Sequence, residues 1–188
     1  MEKGVLAVIS GFSGVGKGTL VKALLERYDD YVLSISATTR RPRQGEQDGR
    51  EYFFISKEEF EKRIAEGRFL EYTKYIDNYY GTPRDYVISQ IESGKNMILE
   101  IEMEGALNVK KAFPDAKLIF VVPPSFEELR KRLDGRGTET LEQIEARLAR
   151  AEEEKSYMQY YDKILVNDDF DKALKELHEY IINGGNEL

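Results

Sequence analysis

A doubly wound parallel α/β sheet of five strands is the fold class predicted by the 188-residue sequence, on two observations. Short apolar runs alternate with helical patterns along the chain, as a parallel sheet with crossover helices demands. The first and fourth runs are almost wholly apolar, as strands covered on both faces must be.

The elements follow in order. Val5–Ile9 is the first strand; it runs into a glycine-rich turn and a helical pattern over Thr19–Arg27. Val32–Ser36 is the second strand, and the polar stretch Thr38–Thr82, rich in Tyr and Arg, interrupts the rhythm after it. Inside that stretch Ser56-x-x-Glu59 has capping-box spacing ahead of a helix near Lys57–Glu66. Tyr52–Ile55 and Phe69–Tyr75 have strand character. A helix over Pro83–Ser93 leads to the third strand, Met97–Glu102. Lys117–Val122 is the fourth strand, followed by Ser125-x-x-Glu128 and a helix over Phe126–Leu133. The charged stretch Arg132–Arg150, with Gly135 and Gly137, overlaps a helical pattern at Leu141–Tyr161. Lys163–Val166 and a helix over Lys172–Ile182 complete the alternation. One unit, residues 3–182, is expected: a core of 3–36 and 83–182, an insert at about 37–82 and a second excursion at about 132–150.

Composition narrows the chemistry. There is no Cys, which excludes disulfide scaffolds, thiolate metal sites and thiol nucleophiles, and the single His178 excludes a multi-histidine metal centre within one chain. A net charge of −7 gives no overall reason to expect nucleic acid or an anionic membrane as partner. Val5–Ile9 is too short for a signal-peptide core, and no run approaches the roughly 18 apolar residues of a membrane span. The expected setting is cytoplasmic.

Chemistry first becomes explicit after the first strand, in Gly11-Phe12-Ser13-Gly14-Val15-Gly16-Lys17-Gly18-Thr19. Glycines let the backbone turn so that successive N–H groups point at phosphate oxygens. The following helix adds its positive dipole end, and Lys17 a mobile charge. The G-x-x-x-x-G-K core arises by chance in on the order of one chain in twenty, so its position between a buried strand and a helix is what makes the fold P-loop NTPase-like. An ordinary glycine-rich turn is the alternative. One position departs from the motif: Gly18 stands where Ser or Thr would ligate Mg²⁺. Thr19 is one step further round and can meet a phosphate instead. Mg²⁺ is then expected to be held by water, nucleotide phosphates and a distant carboxylate. The Gly-Lys-Gly-Thr run is similar to that of adenylate kinases.

The insert opens with Ser36-Ala37-Thr38-Thr39-Arg40-Arg41-Pro42-Arg43 and continues through Asp48-Gly49-Arg50-Glu51-Tyr52. Arginines near a Pro-stiffened turn suit a two-pronged grip on phosphate. Phe69-Leu70-Glu71-Tyr72 and Asn78-Tyr79-Tyr80-Gly81-Thr82 add a carboxylate and phenol hydroxyls. Thr38-Thr39-Arg40 with Pro42-Arg43, Phe69-Leu70-Glu71, Tyr79-Tyr80-Gly81, Pro123-Pro124-Ser125 and Arg136-Gly137-Thr138 together resemble guanylate kinase, in family order from about Lys3 to Ile182.

That resemblance implies transfer of the γ-phosphoryl group of ATP to GMP, giving ADP and GDP. Residues 37–82 would be the GMP-binding insert and 132–150 a lid. Arg40, Arg43, Tyr52 and Tyr80 would bind the GMP phosphate; Ser36, Glu71 and Thr82 would read guanine, with Glu102 nearby. Arg132, Arg136 and Arg147 resemble lid arginines, and Asn167 would lie near adenine. Lys17, Arg136 and Arg147 would carry the transfer while Arg43 aims the acceptor. The phosphate loop, Gly11 to Thr19, would hold ATP.

Elementary chemistry supports Glu71 independently. Guanine presents adjacent N1–H and N2–H₂ donors that match two carboxylate oxygens, whereas adenine would leave them unpaired, and such mismatches discriminate by about 10⁴ or better. Glu100 and Glu102 stand at i and i+2, on one face of a strand end that meets the ligand crevice. Glu100 could orient a magnesium-bound water and Glu102 the base or ribose. The family usually carries Asp at both places. For Arg132 the competing expectation is a surface arginine paired with Glu at i±4. Two rivals to the kinase reading are a non-catalytic guanylate-kinase-like peptide-binding module and a kinase of another monophosphate.

Overall fold

The computed structural model describes residues 3–135 and 140–184. In chain order the elements are β1 (Leu6–Gly11), α1 (Lys17–Arg27), β2 (Tyr31–Leu33), β3 (Ala37–Thr38), β4 (Phe53–Phe54), α2 (Lys57–Ala65), β5 (Phe69–Tyr75), β6 (Asn78–Pro83) and α3 (Arg84–Glu92). There follow β7 (Asn96–Glu100), α4 (Met103–Ala112), β8 (Lys117–Val122), α5 (Phe126–Asp134), α6 (Leu141–Glu154), a 3₁₀ segment (Lys155–Tyr160), β9 (Lys163–Val166) and α7 (Phe170–Asn183).

Five parallel strands form the main sheet in the order β2-β7-β1-β8-β9. Val8 of the central strand sits opposite Leu99 on one side and Leu118 on the other. Because side chains alternate along a strand, the sheet divides the core into two apolar layers. Ala7, Ile9, Ile98 and Ile119 face one layer, filled by Leu20 and Leu24 of α1 and Leu174 and Leu177 of α7. Leu6, Val8, Met97, Leu99 and Leu118 face the other, against Val87 and Ile91 of α3 and Ala106 and Val109 of α4. Each of the Val, Leu, Ile and Met side chains, removed from water, contributes roughly 1.5–3 kcal/mol before chain entropy is counted.

A second, four-stranded sheet lies between β2 and α3 in the chain, ordered β4-β3-β6-β5. Its β3–β4 pair is parallel and its other pairs antiparallel. Phe60 of α2 stacks on Phe69 and Tyr79, with ring centroids 4.3 and 5.1 Å apart, and gives this sheet its own small core with Ala37. The β5–β6 register slips between Phe69 and Glu71, which sets Glu71 opposite Thr82. At the hairpin tip Ile76 has φ 55°, the one non-glycine residue in the left-handed region among those described, and it is 74% exposed.

Several boundaries differ from expectation. The second strand ends at Leu33, because after the Ser34 amide bonds Ile98 the chain leaves for the second sheet, where the Ser36 carbonyl accepts from Phe53. Tyr79–Thr82 lies in a strand, β6. The helix expected over Leu141–Tyr161 stops at Glu154 and tightens into the 3₁₀ segment. Helix α4 was not anticipated at all. Ser56 and Ser125 do cap their helices by accepting the amides of Glu59 and Glu128. Thr140 and Gln143 form a reciprocal capping box at the start of α6. No helix among the described residues is long and apolar enough to cross a membrane.

Candidate active site

The glycine-rich loop is held from behind by its own apolar residues. Phe12 and Val15 are buried, Phe12 packing edge-on to Phe120 with centroids 5.1 Å apart, so these two present backbone and not side chain to the crevice. Gly11, at φ 145°, allows the closest approach: a Cβ there would lie 2.2 Å from the Val121 carbonyl oxygen. Gly16, at φ 93°, is the N-cap of α1, and a Cβ there would lie 2.8 Å from Asn167 Nδ2. That amide donates 2.8 Å to the Val15 carbonyl and is buried. Asn167 thus buttresses the loop from β9's end, and with Gly14, Gly16, Thr19 and Arg132 it also lines a cavity of about 260 Å³. Lys17 Nζ donates to the carbonyls of Gly11 (2.6 Å) and Phe12 (3.0 Å), which folds the ammonium across the loop mouth.

A larger cavity, about 590 Å³, opens between the second sheet, α4 and α6. Ser36, Tyr52, Glu71, Tyr80 and Glu102 all line it. Glu71 is positioned by the β-bulge and by Thr82, whose buried hydroxyl donates 2.6 Å to its Oε1. Burial pushes the Glu71 carboxyl above the usual range, and the Thr82 hydrogen bonds counter that only in part. Gly105 makes room for it, since a Cβ there would sit 3.1 Å from Glu71 Oε2.

Among the described residues, Arg40, Arg43 and Thr82 are not on this cavity's wall. Arg40 is held by Glu46 at 2.8 Å, with its guanidinium 5.4 Å from the Tyr52 ring centre. Its hydrogen bond to Glu46 raises the Arg40 pKa further. The second Glu46 oxygen accepts the Arg43 amide at 2.7 Å, while the Arg43 side chain is exposed. One carboxylate therefore organises the arginine turn.

Between donor loop and acceptor cavity lies a third space, about 290 Å³, walled by Lys17, Glu100 and Glu102 together with Ser10, Gly11 and Met103. Gly18 faces Glu100: a Cβ on it would stand 3.8 and 3.9 Å from the two carboxylate oxygens, an ordinary contact distance. The missing hydroxyl of residue 18 thus leaves open space in front of a carboxylate, which fits a hydrated divalent cation.

Arg147 reaches the loop from α6 and donates to Ser13 Oγ. Arg132 lines the cavity of about 260 Å³ and also pairs with Glu128 at 3.1 Å, the i,i+4 surface pairing that was its competing expectation. Arg136, with Gly137 and Thr138, lies outside the described residues. His178 takes no part; it stacks on Tyr28 at 3.7 Å and meets Tyr31 Oη at 2.9 Å.

Three residues at the site carried no local sequence signal: Glu46, Gly105 and Arg150. Arg150 bonds Glu102 at 2.7 Å and Glu154 at 2.8 Å. Glu46 lies three residues beyond Arg43, and nothing local marks it as the partner of the arginine turn. Gly105 follows the strand carboxylates, but its use depends on Glu71, thirty-four positions earlier.

Comparison with known proteins identifies the family. The family model "Guanylate kinase" matches residues 3–183. A guanylate kinase of Caldanaerobacter subterraneus subsp. tengcongensis is 51% identical over 181 residues, covering 96% of this chain and 88% of its own. One from Clostridioides difficile is 48% identical over 188 residues, covering 100% of this chain and 92% of its own. The crystal structure of guanylate kinase from Anaplasma phagocytophilum superposes with a TM-score of 0.70 at 30% identity, covering 99% of this chain and 88% of that one.

Proposed function

The chain belongs to the guanylate kinase family, and on that premise we propose that it transfers the γ-phosphoryl group of ATP to GMP, giving ADP and GDP. The observation that carries the reading is the juxtaposition of Lys17, Glu100 and Glu102 around one small space between the phosphate loop and the cavity of Glu71.

In this reading an oxygen of the GMP phosphate attacks the γ-phosphorus in line. A new P–O bond forms as the bond to the β–γ bridging oxygen breaks, and ADP leaves with that electron pair. No protein atom becomes bonded to phosphorus, so the chain's task is alignment and countercharge. Backbone amides from Gly11 to Thr19 hold the triphosphate, and Lys17 swings from the loop carbonyls to the β- and γ-oxygens. Arg147, with Arg132 and Arg136, brings guanidinium charge from the lid (about 132–150) as charge develops on the moving group. Asn167 fixes the loop beside the adenine end.

On the acceptor side, the insert at about 37–82 presents Arg40, Arg43, Tyr52 and Tyr80 to the GMP phosphate. Ser36 and Glu71 read the guanine edge, and Thr82 acts through Glu71. Glu102 faces base or ribose. Closure of the lid excludes water, which would otherwise accept the phosphoryl group.

Kinases that use ATP generally need a divalent metal. Mg²⁺ fits the space in front of Glu100 that Gly18 leaves open: Glu100 would hold it through water, and it would neutralise charge on the phosphate oxygens.

Release of ADP with GMP, AMP, UMP or dGMP offered in turn tests the reading. GMP should be the preferred acceptor by a wide margin. Turnover confined to another monophosphate would reassign the substrate, and no turnover with any would favour a binding module.

A further inference from the structure

The wall of the large cavity is strongly acidic. Glu71, Glu102, Glu104, Glu153 and Glu154 line it, and Arg150 is the single basic residue among the described wall residues. A nucleotide monophosphate is itself an anion, so this one cation sits where the electrostatic balance is decided.

Arg150 does not point aimlessly into that space. Its Nη2 donates 2.7 Å to Glu102 Oε2 and its Nε 2.8 Å to Glu154 Oε1. Glu102 occupies the N-cap position of α4 yet makes no capping hydrogen bond, its carboxylate being turned to Arg150 instead. It also walls the space shared with Lys17. Glu154 ends α6 and is 8% exposed, a carboxylate that needs a partner to remain ionised. Three residues earlier, on the same helix face, Arg147 bonds Ser13 of the phosphate loop. One turn of α6 is therefore tied to the donor loop at one end and to the acceptor wall at the other.

We propose that Arg150 is a positioning residue that couples acceptor binding to the lid: by holding Glu102 and Glu154 it fixes the helical turn carrying Arg147 when GMP fills the cavity. The proposal rests on the kinase reading above. The Arg150 and Glu102 side chains are 62% and 76% exposed, and a pair so exposed contributes little on its own. A bound acceptor would dry the cavity and strengthen the pair, so its effect belongs to the complex. Without Arg150, Glu102 and Glu154 would keep Lys17 nearby but lose the guanidinium that bonds both of them.

Calorimetric titration of GMP, with and without a non-hydrolysable ATP analogue, tests the coupling. In the unmodified protein the analogue should tighten GMP binding about fivefold or more, within the usual range of coupling between sites. In Arg150→Ala that ratio should fall toward one, with ATP-analogue affinity measured alone unchanged, and Arg150→Lys should restore part of it. In a Glu102→Gln background the same Arg150→Ala change should cost less GMP affinity than in the parent. A coupling ratio unchanged in Arg150→Ala, or strict additivity with Glu102→Gln, overturns the proposal. Should Arg150→Ala not fold, Arg150→Met and Glu102→Gln supply the same comparison. Loss of the kinase reading looks different: the unmodified protein would not phosphorylate GMP at all.

Discussion

Thr82 donates its hydroxyl proton to Glu71 across the β5–β6 pair at 2.6 Å, which aims one carboxylate oxygen and leaves the other beside Gly105. The arrangement favours binding over the stability of the empty protein. Burial raises the Glu71 pKa, so its protonated form suits the empty fold better than its ionised form. The stability this contributes is present below the unfolded carboxyl value and is lost as pH rises through the folded one.

Glu71→Gln should therefore raise the Tm of the nucleotide-free protein at neutral pH. It should also narrow the GMP-over-AMP preference in kcat/KM by about 10²-fold or more. Scanning calorimetry and acceptor kinetics give both numbers. A lower Tm with an unchanged preference would mean that guanine is read elsewhere.

A pH profile follows from the same group. Guanine pairs with ionised Glu71, so KM for GMP should climb as pH falls through the raised Glu71 value, while KM for ATP changes less. The phosphate of GMP titrates near pH 6 as well, and Glu71→Gln separates the two: the part due to Glu71 should vanish in the variant.

Lys17→Ala should fold and lose on the order of 10²–10³-fold in kcat, the scale of one electrostatic donor removed from a transition state. Lys17 also clasps the loop carbonyls of Gly11 and Phe12, so a modest rise in KM for ATP should accompany the loss. Near-normal ADP release would remove Lys17 from the mechanism.

Gly18→Ser tests the space before Glu100. The position has ordinary contact distances for a Cβ, and Ser in place of Gly within the helix should add about 0.5 kcal/mol of stability. The new hydroxyl faces the carboxylate, so half-saturating Mg²⁺ in the turnover assay should drop severalfold. An unchanged or higher Mg²⁺ requirement would place the metal away from residue 18.

Ile76→Gly should stabilise the protein by about 0.5–1 kcal/mol, or about 1–4 °C in Tm, because a β-branched residue at positive φ is strained and this one buries little. Activity should be unaffected. A fall in Tm would show that Ile76 makes contacts that outweigh its backbone conformation.

The five strands and the phosphate loop were legible because each rests on a local pattern: apolar runs, glycine spacing, a lysine at a fixed offset. Helix α4 was missed although Met103, Ala106 and Val109 mark its buried face three residues apart. The two carboxylates and Gly105 at its start read as the end of a strand. Strands of two residues, β3 and β4, are too short for any period to register. The pairings that organise the acceptor side, Arg150 with Glu102 and Thr82 with Glu71, join residues 48 and 11 positions apart, and side-chain partners at such separations are created by folding alone. Arg40 stands out by its motif, but its engagement by Glu46 does not.

The phosphate loop shares its foundations with the interior of the molecule. Phe12 rests on Phe120, and Phe120 in turn on Tyr161, with ring centroids 5.1 and 5.0 Å apart. A mutational screen scored by activity would consequently flag Phe120 and Tyr161 as if they touched ATP. Hits deep in the protein should be sorted by melting temperature before any is assigned a role in chemistry.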